Sequence, residues 1–191
     1  HELCLVPLNP MGFVELTSYV SVVELSCDAM QCSLQVNETY QLHNRDRIEE
    51  HVMRVGSPQQ EGERLEAQDK YVLDGEGTAL PLSEGNTFQS AVWEITLAPN
   101  ERREFVLSYI QPLFSEHFVR WRPDLRPPVA WGPIGSGRVE FELPQYASDD
   151  IFLAVEPSDY AFDGRAVVWE YGKIEKLPQH KAVLFSPTIW Q

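Results

Sequence analysis

Alternation of apolar and polar residues along the chain predicts many short β-strands. The clearest segment is Ser33–His43, in which every odd-numbered position is polar. Its apolar positions share even parity: Leu34, Val36, Tyr40 and Leu42. Alternation of period two is typical of a strand buried on one face. Asn44 is predicted to end this strand, because asparagine readily turns the chain.

The segment Phe13–Leu25 carries a second strand with a break in its pattern. Its first apolar residues share even parity: Val14, Leu16, Val20 and Val22. The parity then shifts to Val23 and Leu25, and such a shift predicts a β-bulge. Residues 47–55 fit either a helix or a strand, and we favour a strand. Residues 56–70 are polar and predict a long loop, with a short strand after it at Tyr71–Leu73.

Two further strands are predicted at Phe88–Leu97 and Arg103–Ile110, where apolar residues again alternate. The four residues between them, Ala98–Glu101, include Pro99 and Asn100, which favour a turn. The spacing predicts that the two strands pair as a β-hairpin with a four-residue loop.

The C-terminal part of the chain adds more short strands, and no segment longer than about ten residues shows a helical period. The strands expected there are Val139–Leu143, Ile151–Val155, Ala166–Tyr171 and Ala182–Phe185. Many short strands separated by Gly, Pro, Asn and Asp predict an all-β fold, an antiparallel, immunoglobulin-like β-sandwich. The pattern also allows two associated half-sandwiches, residues 1–112 and 113–191.

A proline-rich stretch, residues 118–137, is predicted to cross between these halves, because proline removes backbone donors and does not suit a central strand. Trp121 and Trp131 lie in it, with Arg120 and Arg122 beside Trp121. If exposed, these four residues would form a platform for a sugar chain or a protein partner. The alternation of Val119 and Trp121 with the two arginines favours buried tryptophans and a structural role.

The charge balance narrows the choice of partners. The 191 residues include 29 acidic and 15 basic side chains, for a formal net charge of -14. Such a surface repels phosphate backbones, so we expect no nucleic-acid binding. No apolar run approaches the roughly 18 residues needed to span a bilayer, so we expect no membrane insertion by this segment. The chain starts at His1 without Met and stops just after a strand-like run, so we expect it to be a piece of a longer protein.

The three cysteines are Cys4, Cys27 and Cys32. Cys27 and Cys32 flank a turn-like tetrapeptide between two predicted strands, which would bring them within bonding reach at a hairpin end. They form either a disulfide, typical of an oxidising compartment, or two reduced and partly buried thiols. Cys4 has no partner in either case. Four ligands at zinc spacing cannot be assembled, so no metal is predicted.

Catalytic chemistry has little support in the sequence. There is no Gly-x-Ser-x-Gly motif, and the five histidines are scattered. Glu38 is the best candidate acid, because it occupies the apolar parity of its strand, where burial would raise its pKa. We expect an arginine, Arg103 or Arg138, to neutralise it. The chain is therefore predicted to have no enzymatic activity and no cofactor, with a glycoside hydrolase as the remote alternative.

Three acidic turns could hold calcium but do not match the twelve-residue calcium loop. They are Asp74-Gly75-Glu76, Asp149-Asp150 and the Asp159–Gly164 turn. Asp and Gly populate turns for conformational reasons alone, and we expect that role here.

The order of several short motifs resembles a known class of domain. The motifs are a strand ending in Leu-His-Asn-Arg, a Trp-containing pair of segments with Pro-Asn-Glu between them, Trp131–Ile134, a strand ending at Leu143-Pro144, and Val167–Trp169. This order is similar to bacterial extracytoplasmic β-sandwich domains of secreted or envelope proteins, and to the β-sandwich of inter-alpha-trypsin-inhibitor-type proteins. The resemblance implies an exported bacterial module without catalysis, which binds a protein or serves a structural role. Binding of a polysaccharide through residues 118–135 is the alternative.

Overall fold

The computed structural model describes residues 5–8, 12–28, 31–58, 67–84, 89–113, 118–122, 130–175 and 177–185. The strands are β1 Val6–Pro7, β2 Val14–Cys27, β3 Cys32–Asn44, β4 His51–Pro58, β5 Gln68–Asp74, β6 Ser83–Glu84, β7 Gln89–Leu97, β8 Arg102–Leu113, β9 Phe118–Trp121, β10 Gly137–Glu142, β11 Phe152–Glu156, β12 Ala161–Phe162, β13 Ala166–Tyr171 and β14 Lys181–Phe185. A 3-10 turn at Asp149–Ile151 lies among these described residues. The prediction of an all-β fold is confirmed.

The strands form three sheets. The largest has seven strands in the order β12-β13-β10-β2-β3-β8-β5, and the others have the orders β1-β4-β7-β6 and β11-β14-β9. Neighbouring strands are antiparallel except for β10, which runs parallel to β2. Strands from both predicted halves of the chain therefore share the seven-stranded sheet. The boundary between residues 112 and 113 stays a prediction, and residues 123–129 of the predicted crossing lie outside the described residues.

One hydrophobic core joins the three sheets. It contains the inward-facing residues of β4 and β7 together with those of β3 and β8. The three-stranded sheet contributes Trp121 of β9 to the same core. The indole of Trp121 stacks on Phe141 of β10, with ring centroids 5.1 Å apart, and lies 6.1 Å from the ring of Trp169 on β13. The seven-stranded sheet is thus covered on one face by the two smaller sheets, which is a sandwich arrangement.

The β-bulge in β2 is present, but its predicted position is wrong. The β2–β3 register shifts between Leu16 and Ser18, so Thr17 is the extra residue. Beyond Thr17 the odd positions face the core: Tyr19, Ser21, Val23 and Leu25 are buried. The segment before β10 closes on this bulge, where a side chain at Gly135 would meet the Thr17 carbonyl oxygen at 2.4 Å. Glycine is therefore required at position 135 by close backbone approach.

The predicted hairpin between β7 and β8 is wrong, because these strands belong to different sheets. β7 pairs with β4, and β8 pairs with β3 and β5. The connection Ala98–Glu101 crosses from one sheet to the other and contains Asn100 in the left-handed region, with φ of 56°. Alternation shows that each strand has one buried face, but it does not show which edge the strand pairs with.

The ambiguous segment before residue 56 is a strand, as favoured from the sequence, since β4 spans His51–Pro58. Part of the loop predicted at 56–70 lies outside the described residues, at 59–66. The short strand expected at Tyr71–Leu73 is longer, because β5 begins at Gln68.

Candidate functional site

The most unusual group in the core is the carboxyl group of Glu38. Glu38 lies on β3 between the buried positions Val36 and Tyr40, and only 2% of its surface is exposed. The alternation of β3 places it on the inner face of the seven-stranded sheet, opposite Ser21 of β2 and Leu107 of β8. A carboxylate in this position requires hydrogen-bond donors, because burial without them is costly.

Two tyrosines supply such donors. The Tyr19 hydroxyl donates to Glu38 Oε1 at 3.0 Å, and the Tyr40 hydroxyl donates to Oε2. Tyr19 and Tyr40 lie opposite each other on β2 and β3, and their rings meet edge to face with centroids 5.3 Å apart. Both oxygens of Glu38 are therefore engaged by neighbouring side chains of the same sheet.

The hydrogen bonds continue to the N-terminal segment. The Leu5 N–H donates to Tyr40 Oη at 3.1 Å, and Trp131 Nε1 donates to the Leu5 carbonyl oxygen at 2.9 Å. Glu38, the two tyrosines, Leu5 and Trp131 thus form one buried polar chain, which we call the Glu38 network. It joins β2, β3, the residue before β1 and the segment before β10.

The expectation that an arginine neutralises Glu38 is wrong for both named candidates. Arg103 Nη2 pairs with Asp74 Oδ2 at 2.8 Å. Arg138 lies on the outer face of the sheet, where Nη2 pairs with Glu140 Oε2 at 2.6 Å and Nη1 pairs with Glu170. These hydrogen bonds to Glu140 and Glu170 raise the pKa of the Arg138 guanidinium, with Glu140 the larger cause.

The four residues predicted to bind a ligand divide into two pairs. Trp121 is 1% exposed and Trp131 is 8% exposed, so both indoles are part of the core. Arg120 and Arg122 are exposed, and Arg122 Nη2 donates to Gln179 Oε1 at 2.9 Å. The burial favoured from the alternation is what the structure shows. Ligand binding at these residues stays a prediction.

A second buried polar cluster was missed from the sequence. His180 is 0% exposed, and its Nε2 lies 2.9 Å from Tyr171 Oη, while its ring meets the Trp169 ring edge to face at 4.8 Å. Burial lowers the pKa of His180 to about 4, against an opposing effect of the Asp159 charge. Burial also raises the pKa of Tyr171 to about 12. The shared parity of His180, Ala182 and Leu184 was a signal for this inward position.

Cys27 and Cys32 are joined by a disulfide, with the sulfurs 2.04 Å apart. The two residues lie opposite each other where β2 and β3 end, and Cys32 is buried. The bridge therefore closes the end of the longest strand pair in the large sheet. Cys4 lies outside the described residues.

In two of the acidic turns, an aspartate carboxylate accepts hydrogen bonds from backbone N–H groups of the same turn. Asp74 Oδ1 accepts the N–H groups of Glu76 and Thr78, and Asp163 Oδ1 accepts those of Arg165 and Ala166. These bonds lower the pKa of both aspartates, that to Thr78 being the largest cause at Asp74 and that to Ala166 at Asp163. Within the described part of the chain, no group of three His, Cys, Asp or Glu side chains could hold a metal ion.

Asn44 holds the end of the molecule where β3 leaves the large sheet. Its buried amide donates to the carbonyl oxygens of Glu49, Leu97 and Ala98 at 3.0, 3.3 and 3.0 Å, and its Oδ1 accepts the Asp46 N–H at 2.9 Å. One side chain thus fixes the turn after β3 and the connection from β7 to β8. The sequence indicated the turn but not these partners.

No helix among the described residues is long and apolar enough to cross a membrane. No family model matches the chain, and no curated protein matches its sequence. A solved structure from Legionella pneumophila, described as a "putative nutrient binding protein", superposes with a TM-score of 0.77. The match has 15% identity and covers 96% of this chain and 70% of that one. An M1 zinc metallopeptidase from Deinococcus radiodurans gives a TM-score of 0.48 at 10% identity, covering 91% of this chain and 43% of that one.

The likeness to the Legionella protein shows a shared β-sandwich fold and, at this identity, the fold alone. The metallopeptidase match is too distant to support any argument. The class that the fold and the buried networks define is therefore a β-sandwich domain with three sheets.

Proposed function

We propose that this chain is a non-catalytic binding or structural module of an exported bacterial protein. One observation carries the proposal: the side chains best suited to chemistry or ligand contact have internal partners. Glu38 accepts hydrogen bonds from Tyr19 and Tyr40, and the indoles of Trp121 and Trp131 are buried. Buried polar groups whose hydrogen bonds are satisfied make a core rigid and specific, and the proposal assigns these groups that structural role.

The fold supports a role in binding or architecture. β-Sandwich domains are scaffolds whose function depends on particular surface sites. The name of the Legionella protein points to binding. That protein is longer than this chain, because the match covers only 70% of its length. The proposed partners are a protein or a polysaccharide.

Export is supported by the Cys27–Cys32 bridge. Structural disulfides persist in oxidising compartments and are rare in the cytosol. The high net negative charge suits a module that stays soluble among other macromolecules. The resemblance to envelope and secreted bacterial domains points the same way.

The catalytic question is tested with the purified chain and its Glu38→Gln variant. Both are incubated with panels of chromogenic glycosides, esters and peptides, and their folds are compared by circular dichroism. We expect no turnover by either protein above the rate in buffer. Turnover by the unaltered chain, lost in a Glu38→Gln variant that keeps its spectrum, would overturn the proposal and favour the hydrolase.

The polysaccharide alternative is tested by tryptophan fluorescence. The indoles of Trp121 and Trp131 are buried, so we expect that oligosaccharides do not contact them. Adding oligosaccharides should therefore leave the tryptophan emission spectrum unchanged. A shift that Trp121→Phe or Trp131→Phe removes would assign a glycan site to residues 118–135. Double substitution of Arg120 and Arg122 by Ala tests whether the exposed arginines alone bind the glycan.

A further inference from the structure

The outer face of the seven-stranded sheet has an uncharged middle. Both small sheets pack on the other face, and no described strand lies over this one. In the register of β2, β3 and β8, two neighbouring rows of outward-facing side chains are Val22, Asn37 and Ser108, and Val20, Thr39 and Val106. We call these six residues the neutral face. They carry no charge in a chain whose formal net charge is -14.

The rim of the neutral face disfavours a charged ligand. Glu24 and Glu104 are exposed and come two positions beyond the face on β2 and β8, so they repel anions. On the neighbouring β10, Arg138 already pairs with Glu140 Oε2 at 2.6 Å and with Glu170. Because the six residues themselves offer no charge to a cation, the ligand that suits them is uncharged.

The polar groups of the neutral face are oriented by a relay of hydrogen bonds. Gln35 Nε2 donates to the Tyr109 carbonyl oxygen at 3.4 Å and to Ser108 Oγ at 3.0 Å. A backbone carbonyl can only accept, so it fixes which end of the Gln35 amide faces it. The Ser108 hydroxyl then donates to Asn37 Oδ1 at 2.8 Å, which turns the Asn37 amide nitrogen away from Ser108. The protein itself therefore orients Asn37 as a donor.

Two hydrogen-bonding groups of β3 are available on this surface. Among the described residues, no group accepts from Asn37 Nδ2 and none binds the Thr39 hydroxyl. Both side chains are half-buried, so a ligand can reach them. Val20 and Val22 flank them on β2 and Val106 flanks Thr39 on β8, which places apolar surface on both sides of the polar pair. Sugars match this arrangement, because they combine hydroxyl groups with apolar C–H faces.

We propose that the neutral face binds a neutral polysaccharide. Sugar hydroxyls accept from Asn37 Nδ2 and exchange hydrogen bonds with Thr39, while ring C–H groups pack on the valines. Tyr71 of β5 stands opposite Ser108 and is 42% exposed. Its ring lies two strands, or about 10 Å, from Asn37, so a chain of sugars can contact both. The inference rests on the proposed function, a binding module, and assigns its glycan site to a surface away from residues 118–135.

Affinity electrophoresis of the full chain tests the inference, with the polysaccharide cast into a native gel. The chain is strongly acidic and migrates readily, so binding to an immobile neutral polymer slows it. The probes are dextran, galactomannan, arabinoxylan and hydroxyethyl cellulose, with alginate as the anionic comparison. Gels without polymer correct for changes in charge.

Two variants alter the neutral face and its edge. Asn37→Asp removes the available donor but keeps the oxygen that accepts from Ser108, and Tyr71→Ala removes the exposed ring. Gln179→Glu is the matched control, since it adds the same charge at an exposed position beside Arg122, outside the neutral face. Circular dichroism shows whether each variant is folded, and Tyr71→Ala carries the test alone if Asn37→Asp is not.

We expect at least one neutral polysaccharide to slow the unaltered chain and Gln179→Glu equally. Asn37→Asp should weaken that binding about tenfold, because it loses a hydrogen bond to the sugar. Tyr71→Ala should weaken the binding as well, and alginate should slow none of the proteins.

Three results would overturn the inference. They are no retardation by any neutral polymer, equal retardation of the unaltered chain and both face variants, and loss of binding in Gln179→Glu, which would assign the glycan to the region of Arg122. A dimer of the unaltered chain that Asn37→Asp dissociates, seen by sedimentation, would also overturn it by assigning the face to a second copy. None of these results contradicts a binding module with a protein partner. Release of reducing sugars from a polymer by the purified chain would contradict the proposed function itself.

Discussion

Lowering the pH is expected to destabilise the fold through His180. This histidine is buried against Tyr171 and the edge of Trp169, and burial lowers its pKa from 6.5 to about 4. In the unfolded chain it would titrate at its ordinary pKa. Between these two values the unfolded state binds a proton that the folded state does not, so stability falls as the pH falls.

The size of the effect follows from the two pKa values. At pH 7.5 His180 is neutral in both states, and its protonation costs almost nothing. At pH 4.5 the unfolded histidine is nearly all protonated, whereas the folded one is mostly neutral. Linkage then gives a loss of about 2.5 kcal/mol between pH 7.5 and 4.5, of which most accumulates below pH 6.5.

Urea unfolding of the unaltered chain and of His180→Gln at both pH values measures this loss. Other titrating groups contribute alike to the two proteins, so the difference between their pH dependences isolates His180. We expect the unaltered chain to lose about 2.5 kcal/mol more than the variant. Equal losses in the two proteins would refute the assignment of His180 as a buried neutral base.

Three substitutions test other parts of the fold by urea unfolding. Asn44→Ala leaves buried carbonyl groups without their donor, so it should lower the free energy of unfolding by about 3 kcal/mol. A loss below about 1 kcal/mol would show that the Asn44 bonds do not fix the turn. Trp131→Phe removes the donor to Leu5 and should cost about 1 kcal/mol, with faster amide exchange at Leu8. Unchanged exchange would contradict the role of Trp131 in holding the segment Leu5–Leu8 on β4. Replacing Cys27 and Cys32 by Ser should cost about 2 kcal/mol, because their sequence separation of 5 closes only a short loop, and an unfolded variant would contradict this estimate.

Individual strands could be predicted from the sequence because alternation directly reports which side chains are buried. The inner and outer faces of β3 follow the predicted parity throughout Ser33–His43. Pairing between strands was harder, since β7 and β8 satisfy the same alternation whether they form a hairpin or cross between sheets. The bonds from Asn44 to the carbonyl groups of Leu97 and Ala98 mark that crossing, and they depend on tertiary structure.

The Glu38 network shows the same limit at a single residue. Parity correctly placed Glu38 inside, but with the bulge expected after Val22 the even-numbered positions of β2 would face the core, and that pattern gives no inward position to its partner Tyr19. The bulge at Thr17 turns Tyr19 toward the core. The odd positions from Tyr19 to Leu25 carried this signal, although Ser21 interrupted their apolar pattern.

We propose that Glu38 serves to stabilise the fold rather than to act in catalysis. The most direct test is the free energy of unfolding of Glu38→Gln at neutral pH. An amide cannot accept hydrogen bonds from both tyrosines with both of its terminal atoms, so we expect a loss of about 2 kcal/mol. Unchanged or increased stability, as is common when a strained active-site residue is replaced, would contradict the claim.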